Sequence, residues 1–267
     1  MEYRSATNPF RVVLYPSEIG NILNQNRFCS RTETLKRVWY RMKGNLVPEP
    51  FRPSPDYVQL IGNTKKGAQI RRKKYTLEHF DEFESIVADL KRSLEADGHR
   101  EMVDAAPRFL RCEMGRNSEV LAIDIAEQHP AIGRCKSMQQ SYCKRVWSSG
   151  DGAIEILVSG RIDCYDQMGR VVEIKTRVAR RPCVEPHETT QLQMYLFLTD
   201  AHSGYVVELH DKDQLTIGQL FTFDEKWWNE EVIPALTSFV DDLITSMKAS
   251  TLVILDDITM AGEGEEE

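Results

Sequence analysis

Asp163, Glu173 and Lys175 are three residues whose types and spacing suit hydrolytic chemistry. Over residues 170–177, Val172, Ile174 and Thr176 alternate with Val171, Glu173, Lys175 and Arg177. Strand side chains point to opposite faces in turn, so Glu173 and Lys175 share one face and Ile174 takes the other. Residues 153–163 alternate in the same way, with Ile154, Ile156, Val158, Gly160 and Ile162 opposite Glu155, Leu157, Ser159, Arg161 and Asp163. Asp166-Gln167-Met168-Gly169 supplies turn residues between the two segments, which together predict a hairpin. Its polar face would gather the two carboxylates and the amine. With the backbone carbonyl of Ile174, the carboxylates make a hard-oxygen set suited to one or two Mg²⁺ or Mn²⁺ ions. Such ions keep several waters, and one of these can serve as a nucleophile.

The elements around this hairpin follow from periodicity. Ser30 and Glu33 form a capping-box pattern ahead of Leu35, Val38, Trp39 and Met42, which predicts a helix with a basic outer side. Four prolines within residues 47–55 predict a loop and the chain's internal hinge. Lys65-Lys66 and Arg71-Arg72-Lys73-Lys74 concentrate six positive charges in ten residues, for which a solvated loop is the simplest alternative to a binding surface. The stripe Phe80, Phe83, Val87, Leu90, Leu94 predicts a long helix ending near Asp97-Gly98. Further helices are expected at residues 118–126, 189–198 and 224–247, the last kinked at Pro234, and strands at 204–210 and 215–223. Of the adjacent Trp227 and Trp228, one is expected in the core and one at its rim. The sum is an α/β fold with a sheet flanked by helices.

Composition bounds the reading. The chain of 267 residues, with 41% hydrophobic and 28% charged residues, is too long for a peptide hormone and too apolar for a disordered chain. It contains no apolar run long enough to span a membrane, and Met1-Glu2-Tyr3-Arg4 lacks a signal-peptide layout, so an intracellular, soluble protein is expected. Six scattered cysteines without a C-x-x-C pair are expected to be reduced, buried thiols and not zinc ligands. The net charge of −7 conceals an asymmetry: residues 1–111 carry 20 basic against 14 acidic residues, and the remainder carries 14 against 27. Three regions are expected: a helical basic region (1–111), an α/β core (112–250) and an acidic, disordered tail (251–267).

Asp163, nine intervening positions, then Glu173-Ile174-Lys175 resembles the catalytic signature of the PD-(D/E)XK nuclease superfamily. The helix Gln191-Leu192-Gln193-Met194-Tyr195 resembles the one that follows E-x-K in lambda-type (YqaJ-like) viral and phage exonucleases and in RecB-like nucleases. Gln191 and Tyr195, four apart, face the same way. Gln193 competes with Gln191 for the place facing the site, since residues two apart on a helix diverge by roughly 200°. Gly115-x-x-x-Glu119 resembles the helix opening that precedes the catalytic hairpin in the same exonucleases, and residues 17–30 resemble their N-terminal part.

The resemblance implies a restriction-endonuclease-like core behind an N-terminal helical, basic region. It implies metal held by Asp163, Glu173, the Ile174 carbonyl and Glu119. Lys175 would position and deprotonate water or stabilise the charged phosphorus, two roles that stay open. Gln191 and Tyr195 would orient Lys175 or the substrate. Arg27, Arg31, Arg41, Arg71, Arg72, Lys73, Lys74, Arg161 and Gln193 become candidates for holding DNA. The implied activity is 5′-to-3′ digestion of duplex DNA ends in viral or phage-type recombination, repair or replication, within the infected host cell if the source is viral. The implied partners are DNA, a single-strand annealing protein and two further copies in a ring-shaped homotrimer, with no membrane. The Thr176-Arg177 continuation departs from many lambda-type members, which place a small residue and a proline after the lysine. An endonuclease of the same superfamily and a non-catalytic DNA-binding protein remain as alternatives.

Overall fold

The computed structural model describes residues 9–177, 184–210 and 214–262. In chain order the elements are β1 (Phe10–Leu14), α1 (Pro16–Ile22), α2 (Arg31–Lys43), α3 (Tyr57–Asn63), α4 (Lys65–Lys73), α5 (Phe83–Ala96), α6 (Ala106–Glu127), β2 (Ser141–Ser148) and β3 (Ile154–Arg161). They continue as β4 (Cys164–Tyr165), β5 (Val171–Arg177), α7 (Pro186–Thr199), β6 (Ser203–His210), β7 (Gln214–Ile217), β8 (Phe221–Thr222), α8 (Glu225–Trp227) and α9 (Ile233–Gly262). The fold is mixed α/β, in two compact units each built from separated stretches of chain. One holds the described residues up to 53, residues 143–160 and those from 224 onward; the other holds 54–142 and 161–223. The boundary expected between residues 111 and 112 falls inside α6, while Pro53–Ser54, within the proline-rich stretch, is a crossing between units.

In the first unit, β1, β3 and β2 form a three-stranded sheet in that order, with β1 parallel to β3. Ser30 caps α2 by accepting from the Glu33 N–H, as the spacing predicts, and Val38 and Trp39 are buried. Leu236, Phe239, Val240 and Leu243 make the buried stripe of α9. A π turn at Trp228–Val232 stands where the kink at Pro234 is expected, because proline has no N–H to return to the preceding turn. Trp228 is buried and Trp227 is at the rim. α9 continues to Gly262, and of the acidic tail expected at 251–267 residues 263–267 lie outside the described residues.

The second unit carries a mixed five-stranded sheet in the order β4-β5-β6-β7, with β8 also pairing β6. β5 and β6 are parallel, with Glu173 opposite Val206 and Lys175 opposite Glu208, and α7 is the crossover between them. Val172, Ile174, Tyr205 and Val207 pack with Ile123 and Ala126 of α6 on one face. The alternate residues Glu173, Lys175 and Arg177 therefore lie on the face that meets α7. With both faces covered, all of β6 is buried.

Four expectations change here. β3 belongs to the other sheet, so it does not form a hairpin with β5; the antiparallel partner of β5 is β4, which covers only Val171 and Val172. The basic run is helix α4, capped by the Thr64 side chain, and not a loop. The strand expected at 215–223 is two, β7 and β8. The helix expected at 118–126 is the end of a 22-residue helix that starts at Ala106. Among the cysteines, Cys135 and Cys164 are buried with sulfurs 3.1 Å apart, Cys29 and Cys112 are half-buried, and Cys143 is exposed. Cys183 lies outside the described residues.

The close crossing of α3 and α4 depends on Gly67, where a Cβ would fall 1.9 Å from the Ile61 carbonyl oxygen. Gly67→Ala is expected to destabilise the protein by about 2–4 kcal/mol in urea unfolding. Gly150→Ala, where a Cβ meets nothing within 4 Å, is expected to stay within about 0.5 kcal/mol of wild type.

Candidate active site

The site arises where β4 stops. β4 covers β5 for two residues, and from Glu173 onward that edge of β5 has no strand partner among the described residues. The Ile174 N–H instead donates to Oδ2 of Asp163 at 2.7 Å. Asp163 sits just before β4, its own carbonyl accepting from the Gln139 N–H. The N–H and C=O of a strand residue point to the same edge, so the Ile174 carbonyl faces the Asp163 side as well. The side chain of Ile174 points the other way, into the α6 core.

Glu173 and Lys175 share the α7 face, with Lys175 Nζ 2.6 Å from Glu173 Oε1. Gln191, on the first turns of α7, joins them. Its Oε1 accepts from Lys175 Nζ at 3.0 Å, and its amide nitrogen donates to Glu173 Oε1 at 2.9 Å and to the Tyr195 hydroxyl at 3.0 Å. One turn earlier, Glu188 accepts two bonds from Arg177, which also donates to Glu208 at 2.6 Å. Glu188, Gln191 and Tyr195 thus occupy one face of α7, registered on Arg177, Lys175 and Glu173 in turn. Asp163, Glu173, Lys175, Arg177, Gln191 and Tyr195 open into a cleft of about 800 Å³, lined also by Arg108, Arg111, Cys112, Gly115, Arg116, Glu119, Arg161 and Thr176. Gly115 lets α6 approach β5: a Cβ there would come 3.0 Å from Thr176 Oγ1.

Burial, and then the neighbouring Glu173 carboxylate, pushes Asp163 up to about 8, against the pull of the Ile174 N–H and Lys175. Desolvation works to lower Lys175, but the Glu173 carboxylate outweighs it and holds the ammonium charged above its ordinary range. Tyr195 is driven strongly up by burial and by Glu173, so its hydroxyl stays neutral. Burial opposes ionisation of Glu188, yet Arg177 holds it below the usual carboxylate range.

This donor set fits a hard divalent cation. Two crowded carboxylates, one already forced toward its neutral form, are a pair that a cation would relieve. Among the described residues, no three His, Cys, Asp or Glu side chains group closely enough to hold a metal by themselves. Side chains would therefore supply only part of a shell, leaving the rest to the Ile174 carbonyl and to water, which suits Mg²⁺ or Mn²⁺ and not zinc.

The structure brings Asp163, Glu173, Lys175, Gln191, Tyr195, Glu119 and Arg161 to one cleft. Glu119 lies well inside α6 and not at a helix start; it accepts from Gln139 at 2.8 Å and pairs with Arg161 at 3.3 Å. Gln191 and Gln193 are separated: Gln193 is buried on another side of α7 and donates to the Thr222 carbonyl, away from the cleft lining. Arg27, Arg31 and Arg41 belong to the first unit, and within the second unit Arg71, Arg72, Lys73 and Lys74 are not among the residues that line the cleft. Arg31 pairs with Asp242, Arg41 with Glu18 and Arg71 with Glu113, while Arg27 and Lys73 lie over the Phe28 and Tyr75 rings.

Sequence reasoning misses Arg108, Arg111, Arg116 and Arg177. The first three fall at i, i+3 and i+8 on α6, a face that becomes visible only once the helix is begun at Ala106. That start carries no side-chain cap, only Pro107 in the first turn, so no polar signal marks it.

No protein-family model and no curated protein matches the sequence. Its structural neighbours include a phage-related exonuclease from Haemophilus somnus 129PT, at 12% identity over 89% of this chain and 97% of that one, with a TM-score of 0.42. They also include the alkaline exonuclease LHK-Exo from Laribacter hongkongensis, at 12% identity over 68% of this chain and 94% of that one, with a TM-score of 0.41. The same enzyme in complex with dAMP gives 13% identity, coverages of 70% and 95%, and a TM-score of 0.39. At this distance the chemistry has to be argued from the site itself.

The raised Asp163 carboxyl has a signature in stability. Below about pH 4 it is protonated in folded and unfolded chains alike; between about 4 and 8 only the unfolded chain releases the proton, so folding stability falls as pH rises. Asp163→Asn removes this slope. In thermal unfolding with EDTA, its advantage over wild type is expected to grow between pH 4 and 8, to roughly 10 °C, and then level off. Parallel pH profiles for the two proteins would contradict the assignment.

Proposed function

We propose that the protein is a metal-dependent nuclease that hydrolyses phosphodiester bonds in DNA. The observation that carries this reading is the polar network in which Lys175 bridges Glu173 and Gln191, beside the crowded Asp163 carboxyl in an open cleft. The five-stranded sheet with α6 and α7 on its two faces is read as the restriction-endonuclease-like core.

Asp163, Glu173 and the Ile174 carbonyl are the groups that would hold one or two Mg²⁺ or Mn²⁺ ions, with Glu119 assisting. When bound, such a cation neutralises charge on the scissile phosphate and lowers the pKa of an attacking water. Lys175 is held protonated, which favours stabilising charge that develops at phosphorus over acting as the resting base. Gln191 fixes the ammonium from its carbonyl side and is itself fixed by Tyr195, whose neutral hydroxyl adds no charge. Arg161, paired loosely with Glu119, would meet a substrate phosphate. The sequence resemblance to lambda-type exonucleases favours 5′-to-3′ digestion of duplex ends over internal cutting, and it carries the homotrimer and the annealing partner as further proposals.

The test is digestion of linear, 5′-phosphorylated duplex DNA beside a closed circle of the same sequence, with Mg²⁺ and with EDTA. Loss of the linear substrate alone, and only with Mg²⁺, is expected; cutting of the circle would replace the exonuclease with an endonuclease. Absence of any metal-dependent cleavage would leave a DNA-binding protein. Lys175→Ala is expected to lower the cleavage rate by at least about 10³-fold with the fold intact by circular dichroism, and Gln191→Ala by about 10–100-fold.

A further inference from the structure

The cleft is positively charged although the chain is not. Its lining carries six cationic side chains, Arg108, Arg111, Arg116, Arg161, Lys175 and Arg177, against three carboxylates, Glu119, Asp163 and Glu173, in a protein of net charge −7. Three of the six lie on α6 together with Glu119. At 100° per residue, Arg108, Arg111, Cys112, Gly115, Arg116 and Glu119 fall within a single face of about 140°. With a rise of about 1.5 Å per residue, Arg108 stands about 16 Å along the helix from Glu119.

The three arginines differ in how they are held. Arg116 is anchored by the buried Glu113, which also pairs with Arg71. The Arg111 guanidinium lies 5.7 Å from the Phe83 ring centroid, which orients it without neutralising it. Arg108 is exposed and has no ion-pair or hydrogen-bond partner among the described residues. A small phosphate ester bound at Asp163 and Glu173 would leave Arg108 and Arg111 without an anion. A nucleic-acid strand would not, because its phosphates recur about every 3.4 Å of duplex axis, and 16 Å spans about five of them.

We infer that the arginine face of α6 is a phosphate track that holds the nucleic-acid backbone on one side of the cleavage point. The track makes the substrate a polynucleotide several residues long and not a nucleotide or a small diester. It acts through phosphates alone and is therefore indifferent to base sequence. The inference rests on the nuclease reading of the same cleft, but it concerns binding and can be measured without cleavage.

The experiment compares wild type, Arg108→Ala/Arg111→Ala and Arg92→Ala, an exposed arginine outside the cleft that pairs with Asp89. Fluorescence anisotropy in EDTA follows binding to a labelled duplex of about 20 base pairs over a range of salt concentrations. The double variant is expected to bind about tenfold more weakly at 0.1 M salt, with the slope of log affinity against log salt reduced by about 2. Arg92→Ala should keep the wild-type slope. In parallel, turnover of bis(p-nitrophenyl) phosphate with Mn²⁺ is expected to fall far less in the double variant than DNA binding does, and to stay at the wild-type rate in Arg92→Ala. An unchanged salt slope in the double variant would overturn the track, whatever the cleavage assays show. Equal losses on DNA and on the small diester would also overturn it, by assigning the arginines to the fold. DNA binding with the predicted slopes but no cleavage would keep the track and reject the nuclease.

Discussion

A strand that ends early sets the arrangement of the site. β4 pairs with only two residues of β5, and the next N–H on that edge, from Ile174, is taken by the Asp163 carboxylate in place of a strand partner. Had β4 continued, a ladder would take the Ile174 N–H and carbonyl, and the Asp163 carboxyl would lose its seat on that edge. The half-buried carboxyl of Asp163 is fixed by this one bond, and Glu173 follows it by strand alternation. The position of every other polar group is then a matter of how α7 lies across the face of β5.

That alignment is held by ions as much as by apolar packing. Arg177 is clamped between Glu188 and Glu208, all three nearly excluded from solvent, and the clamp ties the end of β5 to the start of α7 and to β6. Removing one partner from such a set leaves an uncompensated buried charge, typically at a cost of about 3–5 kcal/mol. Two turns of α7 further on, the same registration brings Tyr195 to Gln191 and Gln191 to Lys175. The balance of charge is deliberately incomplete at the other end. Lys175 answers Glu173, while Asp163 has no ion-pair partner among the described residues and is forced toward its neutral form. A site built this way stores a preference for added positive charge.

Much of this was legible in the sequence, and the parts that were not share a cause. Period-two alternation located β5 and placed Glu173 and Lys175 on one face, because alternation is a local property of the backbone. Helical spacing paired Gln191 with Tyr195, but only tertiary contact separates Gln191 from Gln193, which turns instead to the Thr222 carbonyl. The pairing of strands is not legible: residues 154–161 and 171–177 both alternate, yet the chain changes sheet at Ile162-Asp163, where the backbone bonds to Gln139 and Gln140. Sheet membership is a long-range choice that leaves no mark on periodicity. α6 was begun a dozen residues late for want of a polar cap, which displaced Glu119 to a helix start and hid the arginine face altogether.

The central claim is that Asp163 and Glu173 form a divalent-cation site, and metal-linked proton release tests it most directly. Isothermal titration of Mn²⁺ into the protein at pH 7, repeated in two buffers of different ionisation enthalpy, gives both the affinity and the number of protons displaced. With Asp163 held near 8, binding is predicted to release close to one proton per protein, and Asp163→Asn is predicted to lose both the proton and most of the affinity. Binding without proton release, or binding that Asp163→Asn leaves intact, would contradict the account.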